Sequence, residues 1–142
     1  MLTLKFDILI HAPRHHVWAL MLGHGSYEQW TSAFCEGSTF KGDWNTGDAM
    51  EFIAPNGDGM YAVIDEARPC EFVAIKHLGE IVQGEKRPAP WAPAFERYRF
   101  TDEGESTRVD VGMDVTPEYE AFMRRTWPEA LTRLRSLCEA AA

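Results

Sequence analysis

Apolar residues recur at every second position from Leu2 to Ile10, so that Leu2, Leu4, Phe6, Ile8 and Ile10 share one face of an extended chain, which predicts an opening strand. The period then changes. In "APRHHVWALML", Val17, Trp18, Leu20 and Met21 recur at helical spacing behind Pro13, whose fixed φ suits a first helical turn, so a short helix is expected to end near Gly23. "SYEQW" predicts a second short helix with Ser26 as its cap, and from Phe34 onward, where helical period is lost, Gly37 and Gly42 suggest a strand with a bend or bulge.

Two hairpin patterns follow. The first comprises two alternating runs around Asn56-Gly57-Asp58-Gly59, residues that tolerate positive φ, and it closes at Arg68-Pro69. "CEFVAIKHLGEIV" is a further β-rich run before a proline-rich, charged loop from Gln83 to Ala94 that carries Trp91 and reads as a lid. "FERYRFTDEGESTRVDVGMDV" gives the second hairpin, with Val109, Val111, Met113 and Val115 on one face and Arg108, Asp110 and Asp114 on the other. Thr116-Pro117-Glu118 then starts a long helix whose apolar stripe runs through Tyr119, Phe122, Met123, Trp127, Ala130, Leu131, Leu134, Leu137 and Cys138, with Pro128 in its middle.

Helices segregated from strands in this order imply an α+β fold: a curved antiparallel sheet of about six to seven strands wrapped around a long C-terminal helix, with two short helices after strand 1. One domain over residues 1–142 is expected. A strongly bent sheet leaves room between its concave face and the helix, and a ligand would sit there.

Composition narrows the partners. With 14 Lys plus Arg against 22 Asp plus Glu the formal charge is -8, which repels a phosphate backbone, so no nucleic acid is expected. Cys35, Cys70 and Cys138 are odd in number and scattered, which predicts neither a disulfide framework nor a zinc site and fits a reducing cytoplasm. The N-terminal segment alternates rather than forming a basic and then apolar signal, and no apolar run nears the roughly 20 residues of a spanning helix, so membrane insertion is not expected. His11, His15 and His16 diverge, and no glycine-rich phosphate loop or nucleophile elbow is present, so no metal and no cofactor are expected.

Five rings, Tyr27, Trp30, Phe34, Phe40 and Trp44, fall in one stretch interleaved with Thr, Ser and Gly, a pattern that reads first as core packing and second as a pocket wall. The candidate ligand-lining residues are Trp30, Phe52, Tyr61, His77, Tyr98, Met113, Phe122, Trp127 and Leu131. His77 shares parity with Val73, Ile75 and Ile81, though Phe72, Ala74 and Leu78 support the opposite face. Glu51 and Glu96 each interrupt an apolar strand; a carboxylate turned into a dry cavity is destabilised as an anion and can serve as acid or base. Glu51, His77 and Glu96 are therefore the catalytic candidates.

"APRHHVWALML", "YEQWTSAFCEGSTFKGDWNTGDAMEF", "HLGEIVQG", "FERYRF" and "TWPEALTRLRSL" together resemble the SRPBCC superfamily of START-related, birch-pollen-allergen-like helix-grip proteins, over nearly the whole chain. Within it they are most similar to bacterial homologues of the heat-shock-protein-90 ATPase activator. The resemblance rests on the order and spacing of the proline-led helix, the Trp30 segment, Gly42-Asp43-Trp44 and the Trp127-Pro128 helix. It implies a cavity for a small apolar or amphipathic molecule, as in lipid carriers and polyketide aromatases or cyclases, and carries over no catalytic residue. Three roles stay open: a binding module, an enzyme of cyclase, dehydratase or hydrolase type using a cavity acid or base, and a chaperone-associated interaction domain. A homodimer is left open as well.

Overall fold

A computed structural model describes residues 1–140. The order is β1 (Leu2–Ile10), α1 (Arg14–Leu22), α2 (Ser26–Trp30), a single 3-10 turn (Thr31–Ala33), β2 (Thr39–Lys41), β3 (Ala49–Ile53), β4 (Gly59–Arg68), β5 (Phe72–Val82), β6 (Glu85–Pro88), β7 (Ala94–Glu103), β8 (Ser106–Val115), a second 3-10 turn (Pro117–Tyr119) and α3 (Glu120–Ala140). Every strand pairing is antiparallel, in the order β1-β8-β7-β5-β4-β3-β2, with β6 added beside β5. The expected α+β architecture is thus present, a curved antiparallel sheet with a long C-terminal helix.

The sheet has eight strands rather than six or seven. The additional one is β6, inside the segment expected to be a loop. β5 is long enough to pair β7 through Phe72–His77 and then β6 through Gly79–Val82, so the two partners share one edge and residues 89–93 connect them. Strand 2 is shorter than expected: Phe34 to Ser38 form turns, with the Phe34 and Cys35 amides donating to the Thr31 carbonyl and the Ser38 amide to the Cys35 carbonyl.

Ser26 does not cap α2. Gly25, at φ +91°, takes that position, and the Glu28 carboxylate reaches back to accept from its N–H, while the Ser26 hydroxyl donates to the Gly23 carbonyl. The long helix begins one turn later than Thr116 suggested. Pro117 heads a 3-10 turn, and the Thr116 hydroxyl donates to the Glu118 carboxylate instead of capping the helix. α3 runs on through Pro128, where the Thr132 hydroxyl donates to the Pro128 carbonyl at 2.9 Å.

The apolar stripe of α3 packs Ala130, Leu134 and Cys138, all without exposure, toward Ile10, Val17, Met21 and Val109, which are equally buried. Polar ties lock this end: the Thr107 hydroxyl donates to the Ala12 carbonyl at 2.7 Å, the Trp30 indole N–H donates to the Met21 carbonyl at 3.0 Å, and His16 Nε2 lies 3.1 Å from the Cys138 carbonyl. No helix among the described residues is long and apolar enough to cross a membrane.

Candidate functional site

At the other end, the sheet bends away from the first turns of α3 and leaves an open cleft of about 560 Å³. Its walls come from α2 and the following turn, from β3, β5, β7 and β8, and from the N-terminal half of α3. Of the residues singled out from the sequence, Trp30, Phe52, His77, Tyr98, Met113, Phe122 and Trp127 meet here.

Alternation explains which side chains arrive. Phe52 pairs with Met60 across β3 and β4, and both line the cleft, which sends the neighbouring pair Glu51 and Tyr61 to the opposite, convex face. There the Lys86 ammonium of β6 lies 3.5 Å from the Glu51 carboxylate and 5.6 Å from the centre of the Tyr61 ring. Glu51 and Tyr61 are therefore not cavity residues. Neither is Leu131: one helical turn beyond Trp127, it is already inside the packed core.

The aromatic stretch does both things its pattern allowed. Phe40 and Trp44 are core, stacked edge to face at 5.1 Å, while Tyr27, Trp30 and Phe34 reach the cleft as well as the core. Phe34 packs edge-on against Trp127 at 4.9 Å, and Tyr98 does so at 6.1 Å, so Trp127 is the ring on which helix and sheet walls converge. Glu28 fixes α2 in place by accepting from Thr39 Oγ1 at 2.6 Å and facing His24 Nδ1 at 3.0 Å. Partial burial opposes its charge, but these bonds and the Gly25 N–H win and hold its carboxyl down to about 2.

One polar chain crosses the apolar wall. Glu96 of β7 accepts from the Tyr98 hydroxyl through Oε2 and lies 3.0 Å from His77 Nε2 through Oε1. β5 and β7 make this meeting: Ile75 is opposite Glu96, and Val73 is opposite Tyr98, so all three polar side chains share the concave face. Burial first, then the Glu96 charge and Tyr27, pushes the Tyr98 hydroxyl far above the ordinary phenol range, and burial acts likewise on Tyr27. Both hydroxyls stay protonated. Glu96 thus accepts the Tyr98 O–H on one oxygen and faces His77 Nε2 with the other. The other His77 nitrogen, Nδ1, is buried and has no partner.

The rim is apolar in part. Met1, Met60 and Tyr119, three of the four exposed large hydrophobic side chains among the described residues, stand at the mouth. Trp91, from the segment between β6 and β7, lines it too and donates its indole N–H to Glu80 at 3.1 Å. Tyr27, Phe34 and Trp91 also line the site; the clustering of rings in the sequence was the signal for the first two, and the proline-rich loop from Gln83 to Ala94 for the third. Among the described residues no three His, Cys, Asp or Glu side chains converge as a metal site would need, and Cys35, Cys70 and Cys138 are free thiols.

A family model described as Activator of Hsp90 ATPase homolog 1-like protein matches residues 11–139. No curated protein matches the chain in sequence. Among solved structures, the Aha1 dimer from Colwellia psychrerythraea is 17% identical with a TM-score of 0.76, over 98% of this chain and 97% of that one. CalU16 from Micromonospora echinospora is 15% identical with a TM-score of 0.70, over 96% and 75%. DynU16, from the dynemicin biosynthetic locus, is 15% identical with a TM-score of 0.74, over 98% of this chain and 48% of its own length. At such identities the likeness is one of fold.

Proposed function

The chain belongs to the Activator of Hsp90 ATPase homolog 1-like family, and within it we propose that this member holds a small hydrophobic or amphipathic molecule between its sheet and its C-terminal helix. The observation that carries the reading is the cleft of about 560 Å³, walled by Trp30, Phe34, Phe52 and Trp127 and opening beside the exposed Met1, Met60 and Tyr119. That size and lining suit a molecule of drug-like dimensions, with the rings as walls and the His77–Glu96–Tyr98 chain fixing orientation. The rim favours an amphipathic ligand whose apolar part reaches the mouth.

Uptake of N-phenyl-1-naphthylamine tests this. The wild-type chain is expected to bind the probe saturably, and Trp127→Ala to lose binding; unchanged affinity in a folded Trp127→Ala protein contradicts the placement. Phe122→Ala, at a half-buried position on the same wall, gives a second variant with less risk to folding.

The same polar chain supports a second reading, an enzyme in which Glu96 and His77 act as acid or base on the bound molecule. Glu51 has no part in it. A chaperone-associated role rests on the family description alone, and a pull-down from the host that fails to enrich the chaperone removes it. Homodimer formation and a cytoplasmic location are proposed with it, the first because the C. psychrerythraea relative is a dimer, the second because all three thiols are free.

A further inference from the structure

Glu96 is an acid set among rings. On β7 it shares the concave face with Tyr98, whose ring packs edge-on to Trp127 at 6.1 Å. His77 and Tyr98 are almost wholly buried beside it, yet the Glu96 side chain keeps 20% exposure and lines the cleft, so part of its carboxylate is open to a bound molecule. The two oxygens offer about four acceptor positions, and His77 and Tyr98 occupy two of them. The charge reaches the floor of the cleft. After burial, it is the largest influence raising the Tyr98 and Tyr27 hydroxyls above the ordinary phenol range.

Nothing lining the cleft balances that charge with a lysine or arginine. Asp58, Glu80 and Asp114 line it as well, and no Lys or Arg does. Elsewhere on the sheet acids meet strong cations: Lys86 lies against Glu51, and Arg108 lies against both Asp7 and Glu103. In the cleft the donors are neutral. Glu80 accepts from the Trp91 indole, Asp58 from the Gln83 amide, and Asp114 from the Phe95 amide and the Thr3 hydroxyl. Such bonds orient a carboxylate without cancelling its charge. The groups able to be positive there are His77, whose contact is with Glu96 alone, and the Met1 α-amino group on a residue 59% exposed at the mouth.

We infer that the cleft selects a cationic ligand, a protonated amine on an apolar or aromatic body, and that Glu96 sets this preference by seating the ammonium group. The inference rests on the cavity reading above. A neutral donor bonds the same oxygens but leaves the surplus negative charge in place, and an anion adds to it; an ammonium offsets the charge as it bonds. Apolar walls enlarge that difference by lowering the local dielectric. The rings favour the same sign, because an aromatic face attracts a cation and repels an anion, and Trp30, Tyr98 and Trp127 all line the space. With the ammonium at Glu96, the apolar body lies along Phe34 and Phe52 and extends toward Met60 and Tyr119 at the mouth.

Three ligands that share one framework test the inference on the full chain: 2-naphthylmethylamine, 2-naphthylmethanol and 2-naphthoic acid, which at neutral pH are cation, neutral donor and anion. Fluorescence titration of wild type is expected to rank them in that order, with the amine ahead of the alcohol by about tenfold, the worth of one charge-assisted hydrogen bond. In Glu96→Gln the lead of the amine is expected to vanish while the alcohol still binds, which shows that the variant is folded and its cleft intact; Glu80→Gln, at the rim, is expected to keep most of the lead. A readout without mutation is the side-chain carboxyl carbon signal of Glu96 in 13C-labelled wild type, expected to shift as the amine saturates. Equal affinities in wild type, a preference for the alcohol or the acid, a lead that survives Glu96→Gln, or a Glu96 signal unmoved by bound amine overturns the inference and leaves the cavity reading standing. Binding of none of the three overturns the cavity reading and this inference with it.

Discussion

The two halves of α3 present the same apolar stripe to the same sheet, and only one of them is packed along its whole length. Ala130, Leu134 and Cys138 in the C-terminal half have no exposure, whereas Phe122, Met123 and Trp127 in the N-terminal half border open space. The difference lies in what faces them. α1 fills the first region, with Val17 and Met21 fully buried and Trp18 set edge-on to Phe100 at 5.2 Å. The short α2 and its following turn face the second, and they are too small to fill the space beneath a bent sheet. A helical stripe therefore reports which side of a helix is apolar, not whether that side meets protein or a ligand.

Truncating one residue from each half breaks the comparison most sharply. Leu134→Ala empties a filled site and is expected to cost about 2–5 kcal/mol in urea denaturation, with probe affinity nearly unchanged. Phe122→Ala removes a half-buried ring and is expected to cost less than about 1.5 kcal/mol while weakening probe binding severely. Equal stability losses, or a binding defect in Leu134→Ala alone, would mean that the two halves had been assigned the wrong way round.

Acid provides a smaller effect confined to the open half. Glu28 ties α2 to β2, and its carboxyl is held at about 2, below its ordinary value of 4.5. A lowered folded value means stability that is present above 4.5 and lost as pH falls from there toward 2. The side chain is 29% exposed, so screening leaves a contribution on the order of 1–2 kcal/mol. Urea midpoints at pH 6 and pH 3 should thus converge in Glu28→Gln relative to wild type; an unchanged pH dependence refutes the tie.

The smallest effect belongs to the closed half and needs no mutation. Burial, with help from Glu139, pushes the Cys138 thiol up to about 12, while Cys35 is exposed. At pH 8 Cys138 should react with a disulfide reagent on the order of a hundredfold or more slowly than Cys35, because the thiolate is the reactive form. Similar rates would show that the C-terminal half opens readily.

Much of this architecture was legible in the chain. The alternation of β1 and the stripe of α3 each specify an element by period alone, and the cluster from Asn56 to Gly59 specifies a turn by residue type. β6 was not, because Glu85-Lys86-Arg87-Pro88 is exposed throughout and forms only where β5 outruns β7. The faces of β5 were ambiguous for a physical reason as well. Phe72 and Ala74 are buried on the convex side, Phe72 beneath the Arg68 and Arg99 guanidinium groups at 5.4 and 4.7 Å, so both parities look apolar. Glu51 and Glu96 interrupt apolar strands in the same way, and only the pairing register distinguishes the one that meets Lys86 from the one that meets His77.

The central claim is that the open half of α3 is the wall of an occupied site. Native mass spectrometry of freshly purified chain, followed by solvent extraction and identification of what is released, addresses it most directly. A mass excess that disappears on extraction, yields an apolar or amphipathic compound and is absent from Phe122→Ala is the expected result. A bare chain mass from fresh protein, together with no saturable uptake of an added apolar probe, would contradict it.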